Sequence, residues 1–151
     1  MIRLETSVVV NRPPAATFDY VATRFFSHLP VLNTDVVEIK QLSDGPMRVG
    51  LQGFEAQVIQ GKRYGRTFEV TEYEVPKVFA YKSIANDAVK EYALCRYTFE
   101  PAGDGTRVTQ FFDIEWEAPL WRWAPWMVKF FIKKAVEKSV TVNLKKAVEG
   151  S

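Results

Sequence analysis

Few side chains in this chain are suited to reaction chemistry. His28, in Phe26-Ser27-His28-Leu29-Pro30, is its one histidine, and histidine is the side chain that titrates near neutrality, the natural general acid or base. Catalysis also needs an orienting partner and a reacting atom within reach. The sequence shows neither, so packing near the first helical connection is the favoured reading. A place at the mouth of a cavity is the functional alternative. Cys95 lies mid-strand between Leu94 and Arg96, away from the base or helix N-terminus that activates a thiol, and reads as a small buried hydrophobe. As the only cysteine it also excludes an intrachain disulfide and a cysteine-based zinc site. Glu69, Glu72 and Glu74 alternate with apolar or hydroxyl residues. Glu69 is expected to face water. Glu72 shares the parity of Phe68 and Val70, which brings it toward a cavity edge with Arg96 as a partner; solvation at a strand end is the favoured alternative. No HExxH, Walker loop, GxGxxG or paired metal-ligand cluster occurs, so no metal, nucleotide chemistry or cofactor is expected.

The stronger signal is collective. Alternate residues of a strand face opposite sides. Parity therefore turns Phe68 and Val70, then Phe79 and Tyr81, toward one face, joined by Cys95, Tyr97 and Phe99 and, opposite them, by Val108, Gln110, Phe112, Ile114 and Trp116. Taken singly, each of these fits a filled core. Together, large aromatics with a few polar tips (Tyr81, Tyr97, Gln110) are what an orienting apolar pocket uses. A buried Gln110 amide needs partners, because unmet hydrogen bonds cost on the order of a few kcal/mol. A ligand carbonyl or hydroxyl, Tyr97 or a water could supply them.

One further stretch stands out. From Leu120 to Lys134, three Trp, two Phe and four basic residues interleave, with Trp121 and Trp123 flanking Arg122. The first reading is an irregular entrance to a helix, shaped by Pro119 and Pro125, whose aromatics plug one end of the fold. The second is a mouth or lid, with Trp121 and Trp123 beside His28, that meets ligand or a membrane surface. Nucleic-acid stacking ranks a distant third.

These residues need elements to position them. Ile2 to Val10 is β-rich and stops at Asn11-Arg12-Pro13-Pro14, where proline can open a helix. Ala15 to Thr23 reads as a short helix, and Phe25 to Leu32 as a second helix or an irregular turn around Pro30. Period two begins at Val36. Ser43-Asp44-Gly45-Pro46 turns the chain, and Met47 to Ile59 is strand-like, with a bend at Gly50 or Gly53. Gly61 and Gly65 bracket the next turn. Strands follow over Arg66 to Val75, Val78 to Ile84, Glu91 to Glu100 and Thr106 to Glu117, the last two joined by Pro101-Ala102-Gly103-Asp104-Gly105. Strands so spaced, with no helices between them, predict an antiparallel sheet. From Val128 an amphipathic stripe runs through Phe131, Ile132, Ala135, Val136, Ser139, Val140, Asn143, Leu144 and Ala147, with Lys134, Glu137, Lys138 and Lys145 opposite. Val128, Phe131, Ile132 and Ala135 are the part of the stripe expected to close the cavity. One helix cannot cover a long sheet's apolar face, so the strands must curl around it. The fold class is α+β: a curved antiparallel sheet wrapped around a long C-terminal helix, with short helices after the first strand.

Composition agrees. The 151 residues suit a single domain over 1–151, and 47% apolar with 25% charged is ordinary for a globular protein. Twenty basic against 18 acidic residues leave a net charge of +2, too balanced for a dedicated nucleic-acid binder. No segment approaches a transmembrane span, and the N-terminus lacks an apolar leader core. A cytoplasmic protein is the expectation.

Four pieces, in order, resemble the START-like (SRPBCC) superfamily and, within it, the polyketide cyclase/dehydrase and lipid-transport group. They are Val8 through Val21, with its proline-then-helix step; Phe68 through Pro76 followed by Phe79-Ala80-Tyr81; Gly103 through Thr109; and the ending Asn143 through Glu149. The resemblance spans nearly the whole chain. It implies a helix-grip fold with a hydrophobic cavity between the sheet and the last helix. It further implies binding or transport of a small lipid- or polyketide-like ligand. Two alternatives follow: a cyclase or dehydratase type of enzyme, for which no catalytic residue can be carried across, and a peripheral membrane or protein-interaction module using residues 120–134.

Overall fold

Two prolines decide where the first strand ends. β1 (Ile2–Val10) stops before Pro13, and Pro14 opens the short helix α1 (Pro14–Phe18) at the position where a missing N–H costs nothing. A wider π turn (Asp19–Thr23) leads into α2 (Phe25–Leu32), which is helical through Pro30. The computed structural model describes residues 2–59, 61–86, 91–116, 126, 130, 133, 134 and 137–151.

Six further strands follow: β2 (Val36–Gln41), β3 (Gln52–Ile59), β4 (Lys62–Glu74), β5 (Val78–Asn86), β6 (Glu91–Ala102) and β7 (Gly105–Trp116). They form one antiparallel sheet in the order β1-β7-β6-β5-β4-β3-β2. β2 to β7 thus pair each with the next in sequence, and β1 closes the far edge against β7. The sheet curves around the C-terminal helix. That helix is described from 137 as a π segment (Lys138–Leu144) running into α3 (Lys145–Glu149); residues 126, 130, 133 and 134 are helical as well. No described helix is long and apolar enough to cross a membrane.

Three local readings change. The chain from Met47 to Leu51 is loop rather than strand, turned by Gly50 at φ 89°, a left-handed conformation that glycine adopts without strain. Gly65 is not a turn residue: β4 begins at Lys62, and Gly65 lies buried opposite Ala56. Lys145 does not point away with the solvent face of the stripe. Its ammonium donates to the Val9 carbonyl and to Glu149, while Val148 takes the buried place beside Leu144.

The two ends of the fold meet at one pole. Arg12 donates to the Glu149 carbonyl, the Asn11 amide donates to the Glu149 carboxylate at 2.9 Å, and Thr106 Oγ1 donates to the Arg12 carbonyl at 2.7 Å. Asn143 reaches the Leu32 carbonyl, tying the last helix to α2. The core between these layers holds Phe18, Phe25, Phe68 and Phe79, all essentially inaccessible to water. Burying rings of this size contributes roughly 2–3 kcal/mol each.

Candidate functional site

The concave face of the sheet carries the side chains that parity turns inward, and register shows how they are assembled. Tyr81 on β5 lies opposite Cys95 on β6, and Cys95 opposite Phe112 on β7. One row along, Phe79 faces Tyr97, Tyr97 faces Gln110, and Gln110 faces Thr6 on β1. Phe68, Val70, Phe79, Tyr81, Cys95, Tyr97 and Gln110 are all buried; Phe112 is half-buried against the same core.

The structure divides these residues into two groups. Phe68, Phe79 and Tyr81 are capped by Phe25 of α2, whose ring centroid lies 5.8, 5.2 and 5.0 Å from theirs. At this end helix α2 fills the concavity, and Phe68 and Phe79 are core. The second group is polar-tipped: Gln110 donates from Nε2 to Cys95 Sγ at 3.0 Å and to the Tyr97 hydroxyl at 3.1 Å. Its Oε1 is buried without a hydrogen-bond partner among the described residues.

Burial controls the electrostatics of this cluster. It pushes the Tyr81 and Tyr97 phenols well above their ordinary range, with the neighbouring Cys95 and the Glu55 charge adding to the effect and Arg66 opposing it at Tyr81. Burial likewise raises the Cys95 thiol, against hydrogen bonds from Gln110, Tyr81 and Tyr97. All three groups therefore stay protonated at neutral pH. They can hold a hydrogen bond but are not bases.

A buried ion pair faces the same side, and sequence reading missed it. Arg66 Nε donates to Glu55 Oε1 at 2.5 Å, with Glu55 only 1% exposed. Glu55 lies two residues beyond Gly53, which stands opposite Phe68, and Arg66 lies two residues before Phe68. The same parity that assigned Phe68 therefore assigns both charges inward. Glu72 goes the other way. A register shift between Val70 and Glu72 reverses the alternation, so Tyr73 packs against Phe18 while Glu72 sits on the convex face, paired there with Arg96.

His28 is held by packing against Tyr20. Its ring stacks on Tyr20 at 3.8 Å between centroids, and Nδ1 donates to the Tyr20 carbonyl at 2.8 Å. Val128, Phe131, Ile132, Ala135, Trp121 and Trp123 lie outside the described residues. In the same stretch, Trp126 and Phe130 are exposed at 71% and 55%. An open groove of about 450 Å³ lies on the convex face among Arg3, Glu5, Leu94, Arg96, Phe111 and Asp113. It is a solvated surface crossed by the Arg3–Asp113 ion pair, and neither Gln110, Cys95 nor Tyr97 lines it.

Residues 1–149 match the family described as polyketide cyclase / dehydrase and lipid transport. No curated protein matches the chain. Among solved structures, a Thermus thermophilus protein superposes with a TM-score of 0.82 at 17% identity, covering 99% of this chain and 98% of that one. A START superfamily protein from Mycobacterium smegmatis gives 0.75 at 20% identity, over 98% and 94%. The Zhui aromatase/cyclase from a Streptomyces species gives 0.73 at 14%, over 99% and 92%. At these identities the likeness is one of fold.

Proposed function

The chain belongs to the polyketide cyclase / dehydrase and lipid transport family, and from that premise we propose that it holds a small, largely apolar molecule against the concave face of its sheet. The observation that carries this reading is the Gln110 carboxamide. Its oxygen is buried and, among the described residues, unpartnered, on an amide that donates to Cys95 and Tyr97. Leaving a buried polar atom unpaired costs about 1–3 kcal/mol, and a bound molecule offsets that cost. Holding is favoured over turnover because Tyr81, Cys95 and Tyr97 remain protonated at neutral pH, so none of these three is poised as a base.

The test is a titration with a neutral apolar probe, N-phenyl-1-naphthylamine, followed by NMR of the Gln110 side-chain amide and the Tyr81 and Tyr97 rings. Saturable shifts at these three residues are expected. Saturable shifts confined to the convex face, or none anywhere, would refute the reading.

A second reading has its own observation. Trp126 and Phe130 are exposed one helical turn apart, with Lys133 and Lys134 exposed just beyond. An aromatic and cationic stripe of this kind suits an anionic lipid surface, across which an apolar cargo would be exchanged. Partition onto vesicles containing phosphatidylserine should weaken in a Trp126→Ser, Phe130→Ser variant; unchanged partition would remove the idea.

A further inference from the structure

We infer that the bound molecule presents a neutral hydrogen-bond donor, a hydroxyl or phenol, to Oε1 of Gln110. This rests on the binding reading above and names the chemistry of the ligand's polar end.

The argument begins with the orientation of the amide. With Nε2 toward Cys95 Sγ and Tyr97 Oη, both amide protons are used and a single acceptor is left over. Rotating the amide by half a turn would let the oxygen accept from the same two groups but would strand two N–H donors in the core. One unmet acceptor costs less than two unmet donors, so the observed orientation is the stable one and the vacancy it leaves is for a donor. Among the described residues nothing fills it. Tyr97 is already engaged by the amide nitrogen, and Thr6, opposite on β1, leaves the oxygen unpaired.

Charge decides what kind of donor fits. A carboxylate would bring its own lone pairs against Oε1. Arg66, the basic group that acts on Tyr81 and Cys95, is already matched by Glu55 on the same inward face. The Glu55 charge is felt at Tyr97, beside Gln110. Burial raises two phenols and a thiol here above their ordinary values, and it penalises any charged ligand group in the same way. A hydroxyl on an apolar ring or chain meets all of these conditions.

Three probes with one ring system separate the outcomes: 2-naphthol, 2-methoxynaphthalene and 2-naphthoate, each titrated calorimetrically into the full chain at neutral pH. The naphthol is expected to bind about tenfold more tightly than its methyl ether, the size of one buried hydrogen bond, and the naphthoate to bind most weakly. In Gln110→Leu the naphthol and the ether should come within about twofold of each other. An ether as tight as the naphthol, a naphthoate tighter than either, or a preference that survives Gln110→Leu would each overturn the inference while leaving apolar binding intact. If none of the three probes binds, the binding proposal itself falls. Should the variant not fold, the comparison of naphthol with ether on the native chain decides alone.

Discussion

Glu72 and Arg96 meet at 2.8 Å above Ala80 on the convex face, although their strands are not neighbours. Register puts the three in one row, Glu72 opposite Ala80 and Ala80 opposite Arg96. The short side chain between them lets the two long ones bridge β5 and cover the methyl group, which has no exposed surface. Glu55 and Arg66 are the inward counterpart, joined directly across β3 and β4.

The two pairs should respond very differently to loss of one partner. Glu72 and Arg96 are 47% and 37% exposed, and water screens such pairs to about 1 kcal/mol or less. Arg96→Gln should barely move the urea midpoint. Glu55→Ala removes the carboxylate from a pair whose side chains are 2% and 14% exposed, and should cost about 3–5 kcal/mol. Equal losses in urea unfolding would contradict this account.

Gly53 is where two rings share a space. A Cβ there would lie 2.5 Å from Phe68 Cζ and 2.7 Å from Phe26 Cε1. Gly53→Ala must displace both rings, an overpacking cost of about 1–3 kcal/mol. If Phe68 moves toward Tyr81, affinity for an apolar probe falls as well. Wild-type stability in the variant would show that the rings yield freely.

Stability should decline in alkali. Cys95 is raised from 9.0, and Tyr81 and Tyr97 from 10.0. As pH rises past those ordinary values, the unfolded chain releases protons that the folded chain retains. The stabilisation is therefore complete below about pH 9 and is lost as pH climbs toward the folded values. Each group contributes a slope of at most about 1.4 kcal/mol per pH unit. Tyr97→Phe should flatten the fall of the urea midpoint between about pH 8 and about pH 11, whatever it does to stability at neutrality. An unchanged slope would mean that Tyr97 titrates normally.

Acid should act where the two ends of the fold meet. The Lys145 side chain, then the Asn11 amide, hold Glu149 below its usual 4.5. The tie is intact above that value and is lost as pH falls through the lower folded one. Hydrogen exchange at the Asn11 amide should quicken over that window, relative to its intrinsic rate, and Glu149→Gln should abolish the dependence. The same transition persisting in the variant would assign it elsewhere.

How much of this was legible in the sequence depended on unbroken period two. From Tyr97 through Gln110 to Phe112 the alternation runs without a register shift, and every inward assignment there holds. It fails at Glu72 because Thr71 is taken up by a bulge, which no residue type announced. The Glu55–Arg66 pair was readable by the same parity, but charged residues in a strand invite an outward assignment, and their burial depends on each supplying the other's counter-charge. Gly65 looked like a turn because glycine usually marks one; here it sits within β4, buried opposite Ala56. The unmet oxygen of Gln110 was foreseeable as a need, not as a geometry. Only coordinates show which of its two ends is engaged.

The pairing of β1 with β7 bears on how the protein is made. Strands β2 to β7 each find a neighbour as soon as the next is synthesised, whereas Ile2 must wait for Ile114, and Asn11 for Glu149. Contacts so distant in sequence slow folding. Until they form, the run Val8-Val9-Val10 leaves the ribosome as an unpaired strand, the kind of segment that chaperones cover. Among the described strands, β1 is the one whose partner lies farthest along the chain.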